Sequence, residues 1–295
     1  MTVKNSFRHR KKALFYEKFA GSDDVKCTLC PKYCFLKSGE IGECRVRSNR
    51  GGTLYSLNYG WIRVLNLENI EKIPLVEYYP SMNVLSLGSW GCNMHCSFCN
   101  NLQLIEGVGM GRVLYPNEAG EIANKLIAKD CIGMAYAFAE PAVWYEFVLD
   151  TCKEMKRYDM KNILSTNGCL NNKPWRYLLP HLDAVNLDIK SMDSEYYRNL
   201  GGSLETVLEN AKVAGAAGVH LEITRVMVPG VNDSREDITA LAMFIGNELG
   251  KNVPLHLLEH IPNGQTNYIR TPESDLVWAA DLADKYLNNV YIGTP

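Results

Sequence analysis

Two short runs of cysteine hold the residues of this chain best suited to chemistry. Cys27, Cys30, Cys34 and Cys44 form the first run, and Cys92, Cys96 and Cys99 the second. The second run, in GSWGCNMHCSFCNN, has the spacing C-x3-C-x2-C. Three thiolates so close in sequence can grip one metal centre at little loop-closure cost. Four thiolates would close a structural zinc site or a fully ligated iron–sulfur cluster, whereas three leave one iron of a 4Fe–4S cluster open to a small molecule. A zinc knuckle completed by His95 is the plainer alternative, although His95 adjoins Cys96 too closely for easy co-ligation. The first run, C-x2-C-x3-C-x9-C, supplies four ligands from one short module and fits zinc or an auxiliary iron–sulfur cluster. Cys131, Cys152 and Cys169 are scattered and read as small buried hydrophobes.

The rest of the chain must position these loops. From about residue 82 onward, strand-like and helix-like segments alternate. Strands are predicted at 84–90, 132–138, 162–168, 184–190, 220–228 and 253–259, with a short seventh at 290–293. Between them, 117–129 and 142–157 carry helical periodicity. Asp193 is suited to cap a helix running past Gly201-Gly202 to Ala211, and Ser234 and Asp237 mark a helix start that Gly250 ends. Alternation of this kind implies a parallel sheet with right-handed crossovers. The expectation is an α/β fold, a partial (β/α)6 TIM-like barrel over residues 81–295, with an open doubly wound sheet as the alternative. Residues 1–80 show weak periodicity and read as a small cysteine-rich metal-binding module, with one short helix over 13–19 and a hairpin over 54–67.

Composition narrows the function classes. The chain has 295 residues, 46% of them hydrophobic, enough for a sizeable core. A net charge of −2 gives no global drive toward nucleic acid or anionic membrane. No apolar run approaches the roughly 20 residues that span a bilayer. The expected location is the cytoplasm, where clustered cysteines serve as ligands rather than disulfides. GVGMGR (107–112) lacks the nucleotide-binding fingerprint and reads as a mobile loop. The basic stretch from Arg8 to Lys12 reads as a solvated tail, so nucleic acid is not expected as a partner.

The polar residues at strand ends complete the site. Asp188 and Lys190 lie two apart in AVNLDIK and share one face with Asn186, while Val185, Leu187 and Ile189 take the other. A buried ion pair that only satisfies itself is the bland reading of Asp188 and Lys190. Glu140 follows the second strand in FAEP, Asn167 closes the third in STNG, and His260 follows LHLLE.

Cys92, Cys96, Phe98 and Cys99 match C-x3-C-x-aromatic-C, and the loop resembles the signature of the radical S-adenosylmethionine (SAM) superfamily. That resemblance implies a 4Fe–4S cluster whose open iron is chelated by SAM, and reductive cleavage to a 5′-deoxyadenosyl radical that abstracts hydrogen from a substrate. It further implies cofactor-contacting roles for Phe98, Glu140, Asn167, Asp188, Lys190 and His260. Glu140 resembles the acid of a G-G-E-P motif in which Phe138 and Ala139 replace the glycines. Asn167 matches T-N-G, and Asp188 with Lys190 matches D-x-K. Leu257-Leu258-Glu259-His260 is one residue shorter than L-L-x-x-H, and Thr224 stands where some activating enzymes carry arginine, with Arg225 one position later. Together with the first cysteine run, EKIPLVEYYP (71–80) and VPGVND (228–233), the chain is similar to AmmeMemoRadiSam-system radical SAM enzymes, relatives of pyruvate formate-lyase-activating enzymes. The substrate so implied is a protein or peptide partner, and the electron donor a ferredoxin or flavodoxin. Alternatives are a radical SAM enzyme acting on a small molecule or RNA, and a metal-stapled binding protein without turnover.

Overall fold

The computed structural model describes residues 10–107, 111–262 and 267–294. One eight-stranded sheet dominates: β1 (Val64–Asn69), β2 (Asn83–Gly88), β3 (Cys131–Tyr136), β4 (Lys161–Thr166), β5 (Ala184–Asp188), β6 (His220–Met227), β7 (Leu255–Glu259) and β8 (Val290–Gly293). The strands lie side by side in chain order, β2 to β8 all parallel and β1 antiparallel on β2. A doubly wound sheet reverses its strand order part-way, and this one does not. Among the described residues no pairing joins β8 to β1, so the sheet is open.

Helices Pro116–Lys125, Tyr145–Arg157, Asn172–Leu178, Leu204–Ala216, Arg235–Phe244 and Glu273–Ala283 fill the crossovers from β2 to β8. They bury the outward strand residues, including Val185 and Leu187 of β5 and Leu221 and Ile223 of β6. The opposite face of the sheet meets the segment after β1. Ile70, Ile73 and Leu75 pack there on Val84, Ala135, Ile163 and Ala184. The segment is pinned by Glu222 of β6, whose carboxylate accepts from the backbone N–H groups of Val76 (3.1 Å) and Glu77 (3.0 Å).

Three local expectations change. The chain around 13–19 holds a strand, Tyr16–Lys18, paired antiparallel with Val25–Cys27, rather than a helix; tertiary pairing overrides a weak helical period. The hairpin over 54–67 does not form. Thr53–Ser56 pairs back onto Arg47–Arg50, and Val64–Asn69, inside the stretch read as the N-terminal module, is the edge strand β1. The helix expected after Asp193 is two helices. Asp193 caps Ser194–Asn199, Gly201 turns at φ +74°, and Ser203 caps Leu204–Ala216. Residues 108–110 of the GVGMGR loop, and Arg8 and His9 of the basic stretch, lie outside the described residues. No described helix is long and apolar enough to cross a membrane.

Candidate active site

The carboxyl ends of the parallel strands surround a cavity of about 560 Å³. Its wall includes Cys92, Cys96, Phe98 and Cys99 from the loop after β2, Glu140 after β3, Asn167 after β4, and Asp188 and Lys190 at the end of β5. Residues far apart in sequence thus meet at the face where parallel α/β folds build their sites. Lys72 and Asn100 line the same cavity and are exposed, so it reaches the surface.

The cysteine loop is braced from below. Asn167 donates from Nδ2 to Asn93 Oδ1 (2.9 Å) and approaches Cys92 Sγ at 3.8 Å, while its own Oδ1 accepts from the Cys169 N–H (2.9 Å). The Met94 N–H also points at Cys92 Sγ (3.4 Å). Burial pushes the Cys92 and Cys99 thiols up and carries Cys96 to about 11, against the pull of nearby Lys190. Such thiols become ligands when a bound cation displaces their protons. His95 is half exposed and faces Glu43 (3.7 Å), away from the cavity wall, so it does not complete a zinc knuckle. Among the described residues no group of three or more His, Cys, Asp or Glu is arranged to hold a single metal ion.

Glu140 is 4% exposed and accepts three hydrogen bonds, from Thr166 Oγ1 (2.6 Å), the Ala142 N–H (2.9 Å) and the Asn167 N–H (2.9 Å). Burial raises its pKa, opposed by those donors. Phe138, two residues earlier, has φ +75°, the left-handed region that glycine favours. The side chain standing in place of glycine therefore leaves the backbone path glycine-like. The Asn101 amide holds it there by donating to the Phe138 carbonyl (2.6 Å).

Lys190 pairs with Asp188 at the cavity wall. Burial pulls the ammonium pKa down, but Asp188 and Cys96 outweigh it and hold the lysine charged. The second carboxylate oxygen of Asp188, Oδ1, is buried with no hydrogen-bond partner. One carboxylate oxygen of the pair is thus left without a donor among the described residues. Lys190 Nζ also stands 6.0 Å from the Phe98 ring centroid.

His260 is not in the cavity wall. It is fully buried behind Phe98, with ring centroids 6.5 Å apart and both ring nitrogens unpartnered. Arg225 is buried on the other face of β6, bound to Asp237, Ile189 O (2.6 Å) and Asn232 O (3.1 Å). It cannot meet a cofactor carboxylate in the cavity. Sequence reasoning missed Asn93, Thr166, Asn101 and the inward-facing Ile73 and Pro74. Thr166 was legible as the neighbour of Asn167, but Asn93 inside the C-x3-C spacer carried no signal.

The four N-terminal cysteines also lie close together, around a small void of about 10 Å³ that Leu29, Leu36 and Arg47 help to line. All ten cysteines are free of disulfides.

A family model for the radical SAM superfamily matches residues 89–242. The protein MJ0808 of Methanocaldococcus jannaschii is 36% identical over 96% of this chain and 85% of its own length. The pyruvate formate-lyase-activating enzyme of Clostridium pasteurianum is 29% identical over 65% of this chain and 82% of its own. Among solved structures, a radical SAM methyltransferase from Sphaerobacter thermophilus shares the fold at TM-score 0.54 and 13% identity, covering 96% of this chain and 76% of that one. The cysteine spacing, the strand-end cavity and these matches agree: the chain belongs to the radical SAM superfamily and is an enzyme of that class, related to the activating enzymes.

Proposed function

We propose that Cys92, Cys96 and Cys99 ligate a 4Fe–4S cluster in the cavity and that SAM binds beside it. When bound, the reduced cluster and SAM supply a 5′-deoxyadenosyl radical that abstracts hydrogen from the substrate. The observation that carries this reading is the convergence of three thiols, a charged lysine and a half-satisfied carboxylate on one cavity. Lys190 balances the carboxylate of SAM. Glu140, with one carboxylate oxygen accepting a single hydrogen bond, receives its ammonium group. Asp188 Oδ1 accepts from a further donor. Asn167 orients Cys92, Phe98 walls off water, and His260 supports Phe98 from behind.

The sheet, with sequential parallel strands and open edges, is the frame of a partial barrel, and the cysteine-rich module ends before its first strand at Val64 rather than at residue 80. The four module cysteines hold a second centre, an iron–sulfur cluster or zinc. The substrate is a protein or peptide partner, as the kinship with activating enzymes suggests, and a cytoplasmic ferredoxin or flavodoxin supplies electrons. Anaerobic reconstitution with iron and sulfide, followed by SAM and dithionite, should yield 5′-deoxyadenosine. Cys96→Ala should abolish it, and undiminished product from that variant would overturn the cluster assignment.

A further inference from the structure

The charged side chains that line the strand-end cavity are Lys72, Glu140, Asp188 and Lys190. Glu140 has its three donors, and Asp188 pairs with Lys190. Lys72 has no hydrogen bond or ion pair among the described residues. Its backbone, by contrast, is fixed from both sides. Asn69 accepts from the Glu71 N–H (2.8 Å) and caps the turn Ile70–Lys72. Ile70 and Ile73 are buried, and the Pro74 carbonyl accepts from Asn186 (2.8 Å). The ammonium of Lys72 is thus carried on a rigid anchor in the cavity wall, with no counter-charge of its own among the described residues.

Phe138 lines the same cavity and is half-buried. Its φ of +75° is costly for a bulky side chain. The chain keeps the ring all the same, and makes room for it. A Cβ at Gly88 would lie 2.9 Å from Phe138 Cδ2, so the ring fits where the end of β2 is bare. Phe138 also packs against the cluster that contains Ile70 and Ile73, which ties it to the segment carrying Lys72. A strained residue retained in a cavity wall points to a use for its side chain. Val226, Leu258 and Ile261 make much of the remaining wall apolar.

We propose that Lys72 and Phe138 form the substrate subsite of the cavity, and that the substrate is recognised through a carboxylate set on an apolar body. The ammonium takes the carboxylate, and the ring takes the apolar part. A peptide carries such a group as a glutamate or aspartate side chain, and a small organic acid carries it free; the chemistry at Lys72 is the same. This assignment rests on the reading of the cavity as the SAM site. Glu140, Asp188 and Lys190 are then committed to the cofactor, and Lys72 is the cation left for the substrate. A cationic substrate would meet Lys72 as a like charge, and any second charge against the apolar wall would lose its hydration without gaining a partner.

The test is isothermal titration of the full chain, reconstituted anaerobically and loaded with SAM. The probes are the capped peptide Gly-Val-Gly-Glu-Val-Gly, its Gln and Lys counterparts, and glutarate. The Glu peptide should bind the unsubstituted protein about tenfold more tightly than the Gln peptide. Lys72 is exposed, so its variants should fold. Lys72→Gln should abolish the preference, and Lys72→Glu should shift it to the Lys peptide. Phe138→Gly, at a φ that glycine adopts freely, should keep a native circular dichroism spectrum and weaken the Glu peptide by about fivefold. Equal binding of the Glu and Gln peptides, no binding of any probe, or a preference that survives Lys72→Gln would overturn the carboxylate assignment. A Glu peptide bound unchanged by Phe138→Gly overturns the part given to the ring. Glutarate bound as tightly as the Glu peptide, and through Lys72, makes a small acid the source of the carboxylate; a Glu peptide bound more tightly than glutarate makes it a peptide. SAM titrated alone separates the two readings. Loss of SAM affinity in Lys72→Gln gives the lysine to the cofactor and overturns the subsite, whereas an unsubstituted protein that binds no SAM overturns the cofactor reading itself.

Discussion

Glu222 offers the sharpest test of how the cavity is supported. Its carboxylate is fully buried, binding His220 (2.8 Å), His256 (2.5 Å) and the N–H groups of Val76 and Glu77. Burial alone would raise its pKa, but the two histidines and the backbone donors outweigh it and carry the carboxyl from 4.5 to about 2. That depression corresponds to about 3 kcal/mol of stability near neutral pH, as an upper figure. A group with a lowered folded pKa stabilises above its unfolded value and loses that contribution as pH falls through the folded one. The wild-type chain should therefore lose this increment between pH 4.5 and about 2. Glu222→Gln keeps one acceptor oxygen and turns an NH2 group against donors. It should cost about 3 kcal/mol at neutral pH, or roughly 5–10 °C in Tm. Urea unfolding followed by circular dichroism across a pH series reads the difference. The gap between the two proteins should shrink below pH 4.5 and close near pH 2. A gap that stays constant with pH, or no gap at neutral pH, refutes the assignment of the network. Because Ile73 and Pro74 line the cavity on the segment that Glu222 pins, the variant should also bind SAM more weakly.

Asp237→Ala leaves the buried Arg225 guanidinium without its counter-charge and should destabilise the fold by about 3–5 kcal/mol, whereas pairing it with Arg225→Met should recover much of the loss in urea unfolding. Gly91→Ala forces a Cβ into Val46 and the Cys44 carbonyl at a left-handed φ, and calorimetry should show a cost of about 2 kcal/mol or more. Lys190→Met should raise the Kd for SAM by isothermal titration while circular dichroism stays native; unchanged affinity would remove Lys190 from the binding role. Asn93→Ala frees the Asn167 amide from its lock, so the N–H···S contact to Cys92 weakens and the cluster midpoint potential, read by redox-poised electron paramagnetic resonance, should fall.

Much of this protein was legible in its residues. Strand positions followed from short apolar runs, because a strand buried on both faces needs little from its neighbours to declare itself. The three-cysteine loop stood out as one ligand set through its spacing, since closeness in sequence limits how far the thiols can part, and its reading as a radical SAM loop came from the resemblance of the motif. The face shared by Asn186, Asp188 and Lys190 followed from the twofold alternation of a strand. Tertiary structure decided the rest. Whether Tyr16–Lys18 became helix or strand depended on Val25–Cys27, a partner no local period reveals. His260 and Arg225 stand at strand positions that could face either way, and only packing sent one behind Phe98 and the other beneath the helix Arg235–Phe244. That Asn93 would brace Cys92, or that Cys44 would lie against Gly91, depended on contacts between segments far apart in the chain. Sequence spacing constrains only near neighbours along the chain, so it could name the two sets of thiols, but close packing alone could set them side by side.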